Sequence, residues 1–97
     1  MEIRIHFKTR VDSDFEGYIR EKMQRLEKLT FGTSKADFYV RNEGSTYVAE
    51  LVIHTGHQTV FLKESDNDLN RCVEVLLDKA RTKLSRLHDK VIEQSHR

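Results

Sequence analysis

Between Leu69 and Val91, the apolar residues Leu69, Cys72, Val73, Leu76, Ala80, Leu84, Leu87 and Val91 recur at helical spacing. They form a single stripe that predicts a helix running to about Ile92. A helix that long with one apolar face must cover a long, flat apolar surface. A chain of 97 residues has material for one small two-layer core. The residues upstream of Leu69 carry the alternation of strands, and the last turns of so long a helix are expected to extend beyond the sheet it packs on.

Ile3, Ile5 and Phe7 alternate with Arg4, His6 and Lys8, the pattern of a half-buried strand with a cationic outer face. The stretch SDFE, Ser13 to Glu16, has capping-box spacing, with Ser13 as the cap. Phe15, Ile19, Met23, Leu26 and Leu29 then follow at helical steps, so a first helix is expected over 14–29. After the loop TFGTSK, the segments ADFYVRN, TYVAELVIH and QTVFLKE read as three strands. Glu43-Gly44-Ser45 and Thr55-Gly56 are their turns, which makes an antiparallel meander. The order is βαβββα, an α+β two-layer sandwich with both helices on one face of a four-stranded sheet. The other face is expected to carry Arg4, His6, Asp37, Tyr39, Arg41, Glu50 and His54, with Val48 and Val52. Residues 1–97 are expected to form one domain, with a C-terminal tail fraying from about 93.

Composition narrows the function classes. Charged residues are 34% and apolar residues 37%, an ordinary globular balance. The net charge of +1 means that any polyanion role rests on where cations sit rather than on how many there are. The lone Cys72 excludes an internal disulfide and fits a reducing compartment. No apolar run has signal-peptide or membrane-spanning length, so a cytoplasmic protein with no membrane partner is expected. There is no proline, hence no Pro-rich linker.

The cations are ordered on the second helix. At about 100° per residue from Leu69, Lys79, Lys83, Arg86 and Lys90 fall together at about 260° to 320°, on one flank of the apolar stripe. Asp78, Asp89 and Glu74 point elsewhere. On the first helix, Lys22 and Arg25 hold the equivalent flank at about 340° and 280° from Phe15. Two readings of these flanks stand. Basic residues near a helix C-terminus complement the macrodipole and solvate the surface. Several cations in register also suit a surface that neutralises phosphates.

The chain resembles the short ribosome hibernation promoting factors, the ribosome-associated inhibitor (sigma-54 modulation) family, over essentially its whole length. In FEGYIREKMQRLEKL the matching positions are Lys22, Met23, Arg25, Leu26 and Glu27. In DLNRCVEVLLDKARTKLSRLHDKV they are Asp68, Val73, Asp78, Lys79, Leu84, Arg86, Asp89 and Lys90. Phe7 and Lys8 stand where the family has a glycine, Asn70 replaces a common aromatic, and Glu74 replaces an aspartate. The Leu51–Asp68 hairpin is about two residues longer than in short members. The resemblance implies a fold close to that of double-stranded RNA-binding domains. It implies a bacterial factor for stress or stationary phase that binds the small ribosomal subunit in the mRNA/tRNA channel and inhibits translation. Carried over by position, Lys22, Arg25, Lys79, Lys83, Arg86 and Lys90 would contact ribosomal RNA. A short form, without the extra C-terminal domain of long members, is expected.

Other constellations carry less. His54 and His57 bracket a turn with no further ligand near in sequence, so no metal is expected. Cys72 lies on the apolar stripe as a small hydrophobe. Tyr39, beside Arg41, faces the open side as a candidate RNA contact. No nucleophile, base and oxyanion site assemble, so neither catalysis, a cofactor nor a small-molecule substrate is expected. Two other functions stay open: a protein-interaction or homodimerising module on the open sheet face, and an RNA-binding domain acting outside the ribosome. A monomer is expected, with a homodimer as the alternative.

Overall fold

The computed structural model describes residues 1–30, 32–56 and 58–95, the last three by backbone alone. The elements are β1 (Glu2–Lys8), α1 (Ser13–Arg25), a 3-10 turn (Glu27–Leu29), β2 (Lys35–Glu43), β3 (Thr46–His54), β4 (Thr59–Asp66) and α2 (Leu69–Ser95). The sheet order is β1-β2-β3-β4, with β1 parallel to β2 and the other pairs antiparallel. A parallel neighbour needs a crossover, and α1 supplies it. The tight β2–β3 connection rests on Gly44, whose φ of +65° provides the left-handed residue that a two-residue hairpin loop requires.

Register explains why both helices share one face. Ile5, Phe38, Leu51 and Leu62 pair across all four strands and make one apolar row. On that face Ile19 and Met23 of α1 and Cys72, Val73, Leu76 and Leu84 of α2 are fully buried together with Phe38, Leu51 and Ile53. Each such side chain contributes about 1.5–3 kcal/mol through burial. α1 packs beside β1, while α2 lies over β3 and β4. The α2 axis is roughly 40 Å long at 1.5 Å per residue, longer than strands of seven to nine residues. Its C-terminal turns therefore project past the sheet, and the molecule measures 50 Å along its long axis.

Three local expectations change. The α1 cap is Asp12, not Ser13: the Phe15 N–H donates to Asp12 Oδ1 at 2.7 Å, and Ser13 is already helical. Three consecutive polar residues, Asp12-Ser13-Asp14, offer competing caps, and the carboxylate that reaches the third N–H wins. The α-helix stops at Arg25, and the remaining turn to Leu29 tightens to 3-10 winding, with Leu29 N–H donating to the Leu26 carbonyl at 2.9 Å. α2 continues to Ser95, three residues beyond Ile92. The expected fraying from about 93 falls on residues whose side chains, and for His96 and Arg97 whose backbone, lie outside the described residues.

Candidate nucleic-acid interface

α2 starts where Asp68 accepts a hydrogen bond from the Arg71 N–H at 3.2 Å, and burial of its apolar stripe fixes which way its other faces turn. With the stripe seated on the sheet, the flank bearing Lys79, Lys83 and Arg86 turns toward the outer strand. These three line an open cleft of about 400 Å³ with Leu62 of β4 and Val75, Asp78 and Thr82 of α2. Lys90, also exposed, continues the flank one turn further. The Lys79 ammonium is paired with the Glu64 carboxylate of β4. Among the described residues, Lys83, Arg86 and Lys90 have no carboxylate partner.

Lys22 and Arg25 lie elsewhere. They line a groove between α1 and α2, of about 180 Å³, with Lys28 and Arg81. Leu26, Leu29 and Leu77 form its apolar lining, and Glu74 and Asp78 bring two carboxylates against the four cations. The Tyr18 hydroxyl donates to Glu74, and that bond, followed by burial, pushes the phenol pKa above its ordinary value. The Lys22 ammonium sits 5.5 Å from the Tyr18 ring centroid, a cation–π distance. Arg25 pairs with Glu21 at 2.7 Å, but both side chains are about two-thirds exposed, 64% and 65%. Such a pair is worth under about 1 kcal/mol and exchanges easily for another anion.

Five of the six candidate cations thus divide between two recesses on opposite flanks of α2, with Asp78 bordering both and Lys90 lying beyond them on the outer flank. Helical angles group Lys79, Lys83, Arg86 and Lys90, but cannot say on which side of them a neighbouring helix packs. Lys28 and Arg81 were missed. Lys28 sits on the 3-10 turn, where a 100° step no longer applies. Arg81, at about 120° from Leu69, looked isolated until α1 was placed beside it.

The open sheet face is charged and mostly self-paired, with Lys8 the exception among its described cations. Arg41 bonds Glu43 at 2.7 Å and Glu50 at 2.9 Å, and Lys63 lies 3.9 Å from Glu50. The Arg41 guanidinium holds the Glu43 carboxyl below the usual carboxylate range. His6 stacks on Tyr39 at 4.7 Å between centroids and sits 3.2 Å from Asp37. Val48 is only 3% exposed, flanked across the strands by Arg41 and Ser65, so it is less available than its position suggested. Phe61, 59% accessible and opposite Val52, is exposed on this face, as is Tyr39. His54 bonds Thr59 at 3.0 Å, while His57 lies outside the described residues. Among the described residues no three His, Cys, Asp or Glu side chains gather as a metal site. No described helix is long and apolar enough to cross a membrane.

Residues 3–92 match the family model described as sigma 54 modulation protein / S30EA ribosomal protein. The fold is similar to the N-terminal domain of Protein Y from Thermus thermophilus, with a TM-score of 0.79 and 21% identity over 90% of this chain and 99% of that one. It is also similar to a ribosomal subunit interface protein from Coxiella burnetii, with a TM-score of 0.75 and 14% identity over 90% and 97%. At such identities these two likenesses establish the βαβββα architecture alone. No curated protein matches the chain.

Proposed function

The chain belongs to the sigma 54 modulation protein / S30EA ribosomal protein family, and from that premise we propose that it is a non-enzymatic ribosome hibernation factor. In this reading it docks on the small ribosomal subunit, in the channel used by mRNA and tRNA, and blocks translation under stress or in stationary phase. The neighbours' names, Protein Y and ribosomal subunit interface protein, support the ribosome as partner.

The observation that carries the reading is the row Lys83, Arg86 and Lys90, which has no carboxylate partner among the described residues. A cation already matched by a carboxylate gains little from a phosphate. An unmatched cation releases counterions from the RNA and adds directly to affinity. Lys79, Lys22 and Arg25 extend the contact once phosphates replace Glu64, the Tyr18 ring and Glu21 as their partners. A folded RNA hides its bases, so attachment through shape and backbone fits this target.

Reversing Lys83, Arg86 and Lys90 to glutamate is expected to abolish co-sedimentation with small subunits while circular dichroism stays native. A triple variant that still sediments with them at moderate salt would remove α2 from the interface. Competition between ribosomes and generic duplex RNA separates this function from RNA binding outside the ribosome. The exposure of Phe61 beside Val52 favours a second reading, a homodimer through the open sheet face. Light scattering decides it: a stable dimer with no RNA affinity would replace the ribosomal reading.

A further inference from the structure

The cleft between α2 and β4 contains more than phosphate binding needs. Backbone contacts require cations, and Lys79, Lys83 and Arg86 supply them. The same recess also holds Leu62, Val75, Thr82 and Asp78. Val75 stands at about 240° from Leu69, off the core stripe. It is half-buried and belongs neither to the core nor to the residues packed on it. Val75 and Thr82 are both β-branched, which disfavours exposed helix positions, so neither is explained by helix formation. Asp78 repels phosphate, yet it lies among three cations. The recess is wide and open, about 400 Å³, so it can cover one face of a flat group while leaving the other in solvent.

An apolar wall, a hydroxyl and a carboxylate ringed by cations match one nucleotide better than a smooth backbone. We propose that this cleft takes an unpaired base of the bound RNA, against Val75 and Leu62, with the flanking phosphates on Lys79, Lys83 and Arg86. Asp78 accepts from an exocyclic amino group, so adenine, cytosine or guanine is preferred to uracil. The inference rests on the ribosomal-RNA reading and refines it: the target is a bulge or loop, not a continuous duplex.

The test uses the whole chain and three RNA hairpins of equal stem length, carrying a bulged adenosine, a bulged uridine or no bulge, followed by fluorescence anisotropy. The adenosine bulge is expected to bind about tenfold tighter than the unbroken stem, the scale of one sequestered base. The bulged uridine should fall between them, and Asp78→Asn should narrow the gap between the two bulges. Val75→Phe fills the cleft and should abolish the bulge preference, so that the three hairpins bind alike. Thr82→Trp, two turns along the same wall, provides a second block should Val75→Phe unfold. Equal affinity for all three hairpins, with small-subunit association retained, would overturn the base pocket alone. Failure of every hairpin together with loss of small-subunit association would overturn the RNA reading with it. Displacement of bulged RNA by an acidic, leucine-containing peptide more efficiently than by the unbroken stem would reassign the cleft to a protein partner.

Discussion

The outer flank of α2 and the open sheet face both carry a row of cations, but their charges are arranged in opposite ways. On the sheet, Glu2 lies within ion-pair distance of Arg4 and Lys35, Glu43 of Arg41, and Glu50 of Arg41 and Lys63. On the outer flank of α2, Lys79 is matched by Glu64, and among the described residues Lys83, Arg86 and Lys90 follow on that flank without a carboxylate. Cross-strand pairing places opposite charges face to face within the sheet. A helix flank that overhangs a strand edge has no such partner opposite it. The lesson is that a polyanion responds to uncompensated charge, which a count of lysines and arginines, or a net charge of +1, does not reveal.

The largest test of this contrast compares two triple reversals. Lys83, Arg86 and Lys90 to glutamate should cost about a hundredfold or more in small-subunit affinity at low salt, whereas the paired sheet cations Arg4, Lys35 and Lys63 to glutamate should cost no more than about threefold. Equal losses in a filter-binding assay would erase the distinction. A smaller effect converts a paired cation into a free one. Glu64→Gln releases Lys79 and should strengthen RNA binding by about threefold, consistent with an ion pair worth under about 1 kcal/mol. Unchanged or weaker binding would place Lys79 outside the interface.

The smallest effect concerns the sheet face itself. Hydrogen bonding to Arg41 depresses the folded-state pKa of Glu43. Its stabilisation is therefore complete above the unfolded carboxylate value of about 4.3 and disappears as pH falls through the lower folded-state value. Thermal melts of Glu43→Gln should show a shallower acid limb than the wild type, with no change in RNA affinity at neutral pH. Identical acid limbs would mean that the pair contributes nothing.

Much of the fold is legible in the sequence because burial imposes periods. Alternation at Ile3-Ile5-Phe7 and Ala36-Phe38-Val40 marks faces, and the α2 stripe marks the surface they must build. Boundaries were less legible: Asp12, Ser13 and Asp14 are chemically equivalent as caps until the backbone selects one. Within the site, angle about one helix axis grouped the α2 cations. Their pairing was hidden, since Lys79 meets Glu64 through a β4–α2 packing that separates the two by fifteen positions. The second recess was hidden for the same reason, because Arg81 and Lys28 become neighbours of Lys22 only when α1 and α2 pack.

The dependence of small-subunit affinity on salt tests the role of uncompensated charge most directly. Neutralising Lys83, Arg86 and Lys90 to glutamine should lower the slope of log affinity against log salt by about two to three, close to one for each lost phosphate contact. The same neutralisation at Arg4, Lys35 and Lys63 should leave the slope as it is. A slope that survives the α2 substitutions, or falls equally with the sheet-face set, would contradict attachment through unpaired helix cations.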